Sequence, residues 1–139
     1  GLVMAARGIR NNNPGNIRRS GQKFAGEIES KDKNFKQFSS MAYGYRAMFR
    51  VITTYIKHRN VHRLDQIITR WAPSQDDNDT ATYINFVCGV TKFKPDRIID
   101  YRNENDMRML VSAMSQMENG VKAVKADVQA GWNLFISGK

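Results

Sequence analysis

Two carboxylates stand close together in a part of the chain that is otherwise basic. Residues 1–63 carry 13 Lys or Arg side chains, and their only acidic residues are Glu27, Glu29 and Asp32. On a strand, Glu27 and Glu29 point to the same face, and carboxyls so spaced fall within roughly 5–9 Å, the range that glycosidases use. An acid in a part-buried site has its pKa raised by desolvation and can protonate a glycosidic oxygen. From spacing alone, two exposed glutamates paired with neighbouring lysines explain the pattern better.

Other chemical motifs are incomplete. His58 and His62 straddle a predicted helix break at Asn60, and no third zinc ligand with a recognised spacing accompanies them. The acidic run at residues 76–79 lacks the internal Gly and the closing Glu of a calcium loop. Capping of a helix explains that run better, because carboxylates stabilise the positive end of the helix dipole. We therefore predict no metal site and no cofactor.

The candidate carboxylates follow a region rich in turn-forming residues. We call residues 11–16, with the sequence NNNPGN, the Asn block; proline presets φ there, glycine permits positive φ, and asparagine side chains bond to the local backbone. Residues 23–29 and 34–38 are short segments separated by the polar run SKDK, and they predict a small β-hairpin. The two glutamates are therefore expected on the first strand of that hairpin.

Helical patterns dominate the rest of the chain. Apolar residues recur at three- and four-residue spacing, and plausible capping residues precede several of the stripes. We predict that Ser39 or Ser40 caps the first long helix, that Asn60 caps the second and that Gly89 ends the third. The first predicted helix covers about 41–57, and the second has its apolar stripe over 64–71 and stops at Pro73. The third follows a cap at residue 78, 79 or 80, and a short helix covers about 95–101. Asn105 or Asp106 caps the next helix, which ends before Gly120, and the last covers about 121–130. The expected class is mainly α, with a minor β lobe, in one domain over residues 1–139.

The charge distribution indicates an anionic partner. The net charge is +9: residues 1–63 carry a net charge of +10 and residues 64–139 a net charge of −1. Such asymmetry favours nucleic acid, an anionic membrane surface or an anionic cell-wall polymer, although a solvated basic face would look the same. No apolar stretch is long enough for a membrane span. Residues 1–6 are too short and lack the basic region of a signal peptide.

Several blocks of the sequence resemble, in the same order, a family of phage and prophage structural proteins. The first block is RGIRNNNPGNIR at residues 7–18, and later blocks lie at 26–28, 38–47, 70–73 and 78–84. The resemblance spans about residues 7–90. Members of this family are usually labelled virion structural proteins and are suspected of a lysozyme-like fold that acts on peptidoglycan. The resemblance therefore implies a lysozyme-like helical body with a small hairpin lobe, located in the virion or at the bacterial cell envelope.

The same blocks are distantly similar to bacterial glucosaminidases, in which an Asn-Asn element precedes a small β lobe with a Trp-x-Gly element. Here Phe24-Ala25-Gly26 stands in place of Trp-x-Gly. The catalytic Glu of those enzymes lies on a helix before the Asn block, whereas this chain has no acid before residue 27. The departure implies that Glu27 has taken that role or that the domain cleaves nothing.

We predict a phage-type cell-wall glycosidase, a muramidase or a lytic transglycosylase, whose partner is peptidoglycan or another anionic polymer. Glu27 is the predicted general acid and Glu29 the weaker candidate for its partner, in a groove between the helical body and residues 23–38 beside the Asn block. Tyr45 and Trp71 are assigned to the core. The predicted substrate-binding residues are Asn13, Asn16, Arg18, Phe24, Tyr43 and Arg46.

Two alternatives remain open at the level of the sequence. A non-catalytic virion or cell-wall-binding module on the same fold would use the Asn block only as a structural turn. A nucleic-acid-binding protein would exploit the basic half through phosphate contacts, although the sequence contains no recognised nucleic-acid motif.

Overall fold

The computed structural model describes residues 5–138. These residues contain six α-helices and one short hairpin. Helix α1 spans Arg7–Arg10, strands β1 and β2 span Glu27–Ile28 and Gln37–Phe38, and α2 spans Met41–His58. Helices α3, α4, α5 and α6 span Leu64–Trp71, Thr80–Thr91, Glu104–Asn119 and Lys125–Ile136. The strands pair antiparallel, with Glu27 opposite Phe38. The predicted class, mainly α with a small β element, is confirmed.

Helix α2 lies at the centre of the fold. Its N-cap is Ser40, whose hydroxyl accepts a hydrogen bond from the backbone N–H of Tyr43 at 3.3 Å. Its apolar stripe is buried, and Phe49 meets Trp132 of α6 edge to face, with ring centroids 5.2 Å apart. Gly131 lets α6 approach closely, because a Cβ there would lie 2.6 Å from the Cβ of Tyr45. The remaining core comes mainly from α3 and α5.

The segment 95–101 is not a helix, contrary to the prediction. Its backbone instead runs beside the start of α3, where Leu64 N–H donates to Arg97 O and Asp65 N–H donates to Pro95 O, both at 2.9 Å. An isolated bridge joins Arg63 to Ile98. The segment thus satisfies N–H groups that the first turn of α3 cannot satisfy within the helix. Asn60, predicted as the cap of α3, instead has a left-handed backbone with φ of 54°.

Four helix ends also differ from the predictions, and one is the start of α5, which Asn103 caps in place of Asn105 or Asp106. Gly89 lies inside α4, which continues to Thr91 and ends at Lys92 with φ of 64°. The last helix begins at Lys125 rather than near residue 121, and it ends at Ile136. The reason is packing: Val121 and Val124 are 53% and 59% exposed, whereas Trp132 is buried in the core.

Within residues 5–138, none of the helices combines the length and the apolar character that crossing a bilayer requires. Of residues 1–6, which the sequence predicts not to form a signal peptide, residues 1–4 lie outside the described part of the chain.

Candidate functional site

The Asn block is fixed from within by the side chain of Asn13, which is fully buried. Its Oδ1 accepts a hydrogen bond from Ile17 N–H at 2.9 Å. Its Nδ2 donates to the carbonyl oxygens of Ile17 and Lys36, at 3.0 and 2.9 Å. These bonds satisfy backbone groups of the turn and of the segment that leads into β2. The sequence predicts Asn13 as a substrate-binding residue, whereas the structure places its side chain inside the turn.

A groove of about 320 Å³ opens beside the Asn block, between the hairpin loop and helices α2, α3 and α5. We call it the central groove. Of residues 23–38, only Phe35 lines it, so the helices form most of its wall. The lining residues that can contact a ligand through aromatic or polar groups include Asn16, Arg18, Phe35, Tyr55, Trp71 and Glu118.

Glu118, near the end of α5, receives three hydrogen bonds at the central groove. Its Oε1 accepts from the Asn16 Nδ2 at 3.1 Å. Its Oε2 accepts from the Tyr83 hydroxyl at 2.9 Å and from the Trp71 indole N–H at 3.4 Å. Side chains from the Asn block, α3 and α4 thus converge on one partly exposed carboxylate. Donors on both oxygens fix its orientation, as a functional carboxylate requires.

Tyr83 is the most buried of the three donors. Burial, and then the neighbouring Glu118 carboxylate, raises the pKa of Tyr83 well above its ordinary value. The phenol is therefore protonated at neutral pH and donates to Glu118. We regard Tyr83 as a positioning residue for that carboxylate.

Arg18 supplies a cation at the rim of the central groove. Its guanidinium lies 5.0 Å from the centre of the Phe35 ring, and that of Arg7 lies 4.8 Å from the same ring. Arg7 is also paired with Asp32 at 3.3 Å. Within residues 5–138, no carboxylate lies within 4 Å of Arg18. The exposed Arg18 is therefore free to meet an anionic group of a ligand.

Glu27, the predicted general acid, lies on β1 and takes part in a buried ion pair. Both of its carboxylate oxygens are 3.1 Å from the Nζ of Lys36, whose side chain is 1% exposed. The N–H of Phe24 donates to the same carboxylate at 3.2 Å, and Lys23 approaches it to 3.7 Å. The carboxylate of Glu27 is thus paired with a buried lysine, whereas the three donors to Glu118 are neutral groups.

Glu29 is exposed and lies beyond β1, which ends at Ile28, so only Glu27 is on the strand where both glutamates were expected. Both line a cavity of about 190 Å³, together with Arg19, Lys23 and other residues of the hairpin. This cavity has no lining residue in common with the central groove. The structure therefore brings the two predicted carboxylates together, but at a different place from Asn16 and Arg18.

The other predicted substrate-binding residues lie outside the central groove. Phe24 packs edge to face on Phe38, with centroids 6.4 Å apart. Tyr43 covers Gly26, where a Cβ would collide with the tyrosine side chain. The positive φ of 76° at this position also favours glycine. Arg46 is partly buried, and burial lowers its pKa. These three side chains contribute to the packing of the hairpin and of α2.

The two aromatic residues assigned to the core behave differently. Tyr45 is fully buried, and its hydroxyl lies 2.8 Å from the Ser115 hydroxyl. Trp71 is only half-buried, and it lines the central groove while it donates to Glu118. The core assignment is confirmed for Tyr45, whereas Trp71 also belongs to the groove.

The sequence predictions did not include Glu118 among the candidate site residues, although the helical spacing of α5 indicates it. Met107, Val111 and Met114 are buried on one face of α5, and Glu118 continues their spacing of four, three and four residues. A carboxylate on an apolar stripe rarely lies there without partners. A break of this kind in helical periodicity indicates a candidate functional residue.

No three His, Cys, Asp or Glu side chains within residues 5–138 form a group able to hold a metal ion. Asp79 caps α4, since its carboxylate accepts from Thr82 N–H at 3.0 Å. That hydrogen bond also lowers the pKa of Asp79. The capping explanation for the acidic run is thereby confirmed at this residue.

Comparison with known proteins gives one clear relative. No model of a known protein family matches the chain. Protein P5 of Pseudoalteromonas phage PM2 is 39% identical over 120 residues, which cover 84% of this chain and 72% of that protein. The relationship extends well beyond the Asn block and confirms the expected phage origin of the family. The chain therefore belongs to the family of phage proteins that includes Protein P5 of phage PM2.

Proposed function

We propose that this domain is a cell-wall glycosidase carried by a phage virion, a muramidase or a lytic transglycosylase that acts on peptidoglycan. The observation that carries the proposal is the oriented carboxylate of Glu118 in a groove with aromatic walls and a free arginine at its rim. Aromatic faces suit sugar rings, and the basic half suits an anionic wall. The relationship to a phage protein supports the virion association.

In this proposal Glu118 transfers a proton to the glycosidic oxygen as the bond between that oxygen and the anomeric carbon breaks. The sugar then carries positive charge, which the resulting carboxylate of Glu118 stabilises. In a muramidase, Asp76, on the wall of the same groove, would act as the second carboxylate that activates water. In a lytic transglycosylase, a hydroxyl of the same sugar attacks the anomeric carbon and its proton returns to Glu118.

The test compares glutamate variants in the release of soluble fragments from purified sacculi. We expect Glu118→Gln to reduce release by at least about 10²-fold, the usual contribution of a general acid, while sacculus binding survives. Glu104→Gln is the matched control, because Glu104 lies at the other end of α5 and pairs with Arg108. Asp76→Asn should reduce release if water is the acceptor and should have little effect in a transglycosylase.

Glu27→Gln and Glu29→Gln test the assignment made from the sequence. Glu27→Gln breaks a buried ion pair, so we expect a loss of about 3–5 kcal/mol of stability but little loss of specific activity in the folded fraction. Glu29→Gln should resemble wild type in both respects. A large loss of activity in these variants, with Glu118→Gln active, would instead place the catalytic site in the cavity lined by Glu27 and Glu29.

A non-catalytic module that binds the cell wall is the second candidate. Its support is that Glu118 and its neighbour both tie the Asn block to α5: Asn16 bonds to Glu118, and Asn119 donates to the Pro14 carbonyl at 2.9 Å. A carboxylate that serves only as this tether would be structural. Wild-type protein that binds sacculi but releases no fragments would establish this candidate, and Glu118→Gln would then lose stability rather than activity.

A further inference from the structure

A second, larger groove adjoins the central groove. It encloses about 770 Å³ and lies along α3 and the segment that follows it; we call it the lateral groove. Tyr55 lines both grooves. The consecutive residues Arg70 and Trp71 divide between them, since Arg70 lines the lateral groove and Trp71 the central one. Gln75 and Asp76 divide in the same way, so the two grooves adjoin at Tyr55 and at these two pairs of consecutive residues.

The lateral groove differs from the central groove in chemistry. Apart from the shared Tyr55, its apolar wall is aliphatic, with Val61, Pro73 and Ile84. Its uncharged polar groups are carboxamides and a hydroxyl, from Gln66, Gln75 and Thr69, and its charged groups are those of Arg63, Asp65 and Arg70. Aromatic walls suit sugar rings, whereas small apolar surfaces and amide groups suit a peptide, whose backbone needs both donors and acceptors.

Arg70 is the cation of the lateral groove that has no partner. Arg63 pairs with Asp65 at 3.0 Å. By contrast, the described part of the chain places no carboxylate within 4 Å of Arg70. The exposed Arg70 guanidinium instead lies 5.3 Å from the centre of the Tyr55 ring, which holds it where the two grooves adjoin. A guanidinium in this position presents paired donors that match a carboxylate.

We propose that the lateral groove binds the peptide stem of the polymer whose sugars occupy the central groove, and that Arg70 binds a stem carboxylate. Peptidoglycan has this composition, because short peptides with free carboxylates branch from its sugar chain. The inference rests on the proposed function for the identity of the polymer. Binding of the stem by Arg70 makes the domain selective for glycan that still carries its peptides.

The experiment measures binding and does not depend on cleavage. Isothermal titration would compare a soluble disaccharide–peptide fragment of peptidoglycan with the same disaccharide without its peptide. We expect Arg70→Gln to weaken binding of the disaccharide–peptide at least about tenfold, since a charge-assisted hydrogen bond contributes about 1.5–3 kcal/mol. Binding of the bare disaccharide should not change. Arg102→Gln, an exposed arginine paired with Asp100, is the control and should bind both ligands like wild type.

A second arm removes the charge from the ligand instead. Amidation of the stem carboxylates should weaken binding to wild type as Arg70→Gln does, with no further loss in that variant. Equal losses for both ligands in Arg70→Gln, or no loss for either, would overturn the inference. So would a wild-type protein that does not distinguish the two ligands. If stem binding depends on Arg70 but no fragments are released from sacculi, the lateral groove stands and the glycosidase proposal fails.

Discussion

The asparagines of the Asn block have different roles, although the sequence presents them as one run. Asn12 and Asn16 have left-handed backbones, both with φ of 49°, which asparagine tolerates better than most residues. Asn13 is buried within the turn, whereas Asn16 reaches Glu118. Residue types therefore predict the turn. They do not predict which asparagine faces the groove, because that depends on contact with a residue 102 positions away.

Tyr83 provides a measure of the charge on Glu118. Burial and the adjacent carboxylate both raise the pKa of the phenol, so folding favours its protonated form. Its contribution to stability is complete below the unfolded pKa of about 10 and is lost as the pH rises through the folded value. We expect Glu118→Gln to lower the pKa of Tyr83 while burial keeps it above the ordinary value. Titration of ¹³C-labelled tyrosine by NMR measures this.

Tyr45 is the internal control for that titration. Burial raises its pKa too, but its hydroxyl contacts Ser115 rather than a carboxylate. Its titration should be the same in wild type and in Glu118→Gln, and Tyr83→Phe assigns the signals. A Tyr83 titration that does not move in Glu118→Gln would show that Glu118 carries no charge beside the phenol.

Among the elements, α2 follows directly from local signals, whereas the segment 95–101 does not. Ser40 and a long apolar stripe determine α2 locally, so the prediction of 41–57 differs from Met41–His58 by one residue. The segment 95–101 has a proline suited to a first helical turn, but its backbone pairs with residues 62–65. The local helix signal of this segment is overridden, because the start of α3 supplies hydrogen-bond partners that a sequence pattern does not reveal.

Two glycines of these helices should respond in opposite directions to alanine. Gly89 lies inside α4, has no positive φ, and a Cβ there would meet nothing within 4 Å. Gly89→Ala should therefore stabilise the protein by about 0.5–1 kcal/mol, because it restricts the unfolded chain and favours the helix. Gly120 follows α5 with φ of 73°, so Gly120→Ala should destabilise it by about 1–2 kcal/mol.

Urea unfolding of the two variants measures the difference, with the slope m checked for constancy. Each variant is the control for the other, because both add the same methyl group at an exposed position. If Gly89→Ala destabilised the protein, α4 would end near residue 89, as the sequence alone predicts.

At the scale of the whole molecule, the basic half and the nearly neutral half meet at the central groove. Asn16, Arg18 and Phe35 come from the basic half, whereas Trp71 and Glu118 come from the other. The charge asymmetry could be read from the sequence. The candidate carboxylate could not be placed, because the pairing of Glu118 with residues distant in sequence has no local signature.

The basic half should dominate binding to the cell wall. A pair of charge-matched variants distinguishes the effect of where the charges lie from the effect of the total net charge. One variant replaces three exposed cations of the basic half with Gln, and the other replaces three exposed lysines of the remaining chain. Both lower the net charge by three. The first set is Arg10, Lys31 and Lys33, and the second is Lys92, Lys94 and Lys122.

We expect sacculus binding of wild type to weaken steeply as salt increases, because exposed charges are screened over about 8 Å at physiological ionic strength. The first variant should bind about tenfold more weakly at low salt, since each exposed charge contributes up to about 1 kcal/mol, and its affinity should depend less on salt. The second variant should remain close to wild type, because its lysines lie outside the basic half. Co-sedimentation with sacculi across a salt series measures all three proteins. Equal losses of affinity in the two variants would mean that net charge alone attracts the protein to the wall. Salt-independent binding would mean that the basic half is not the contact surface.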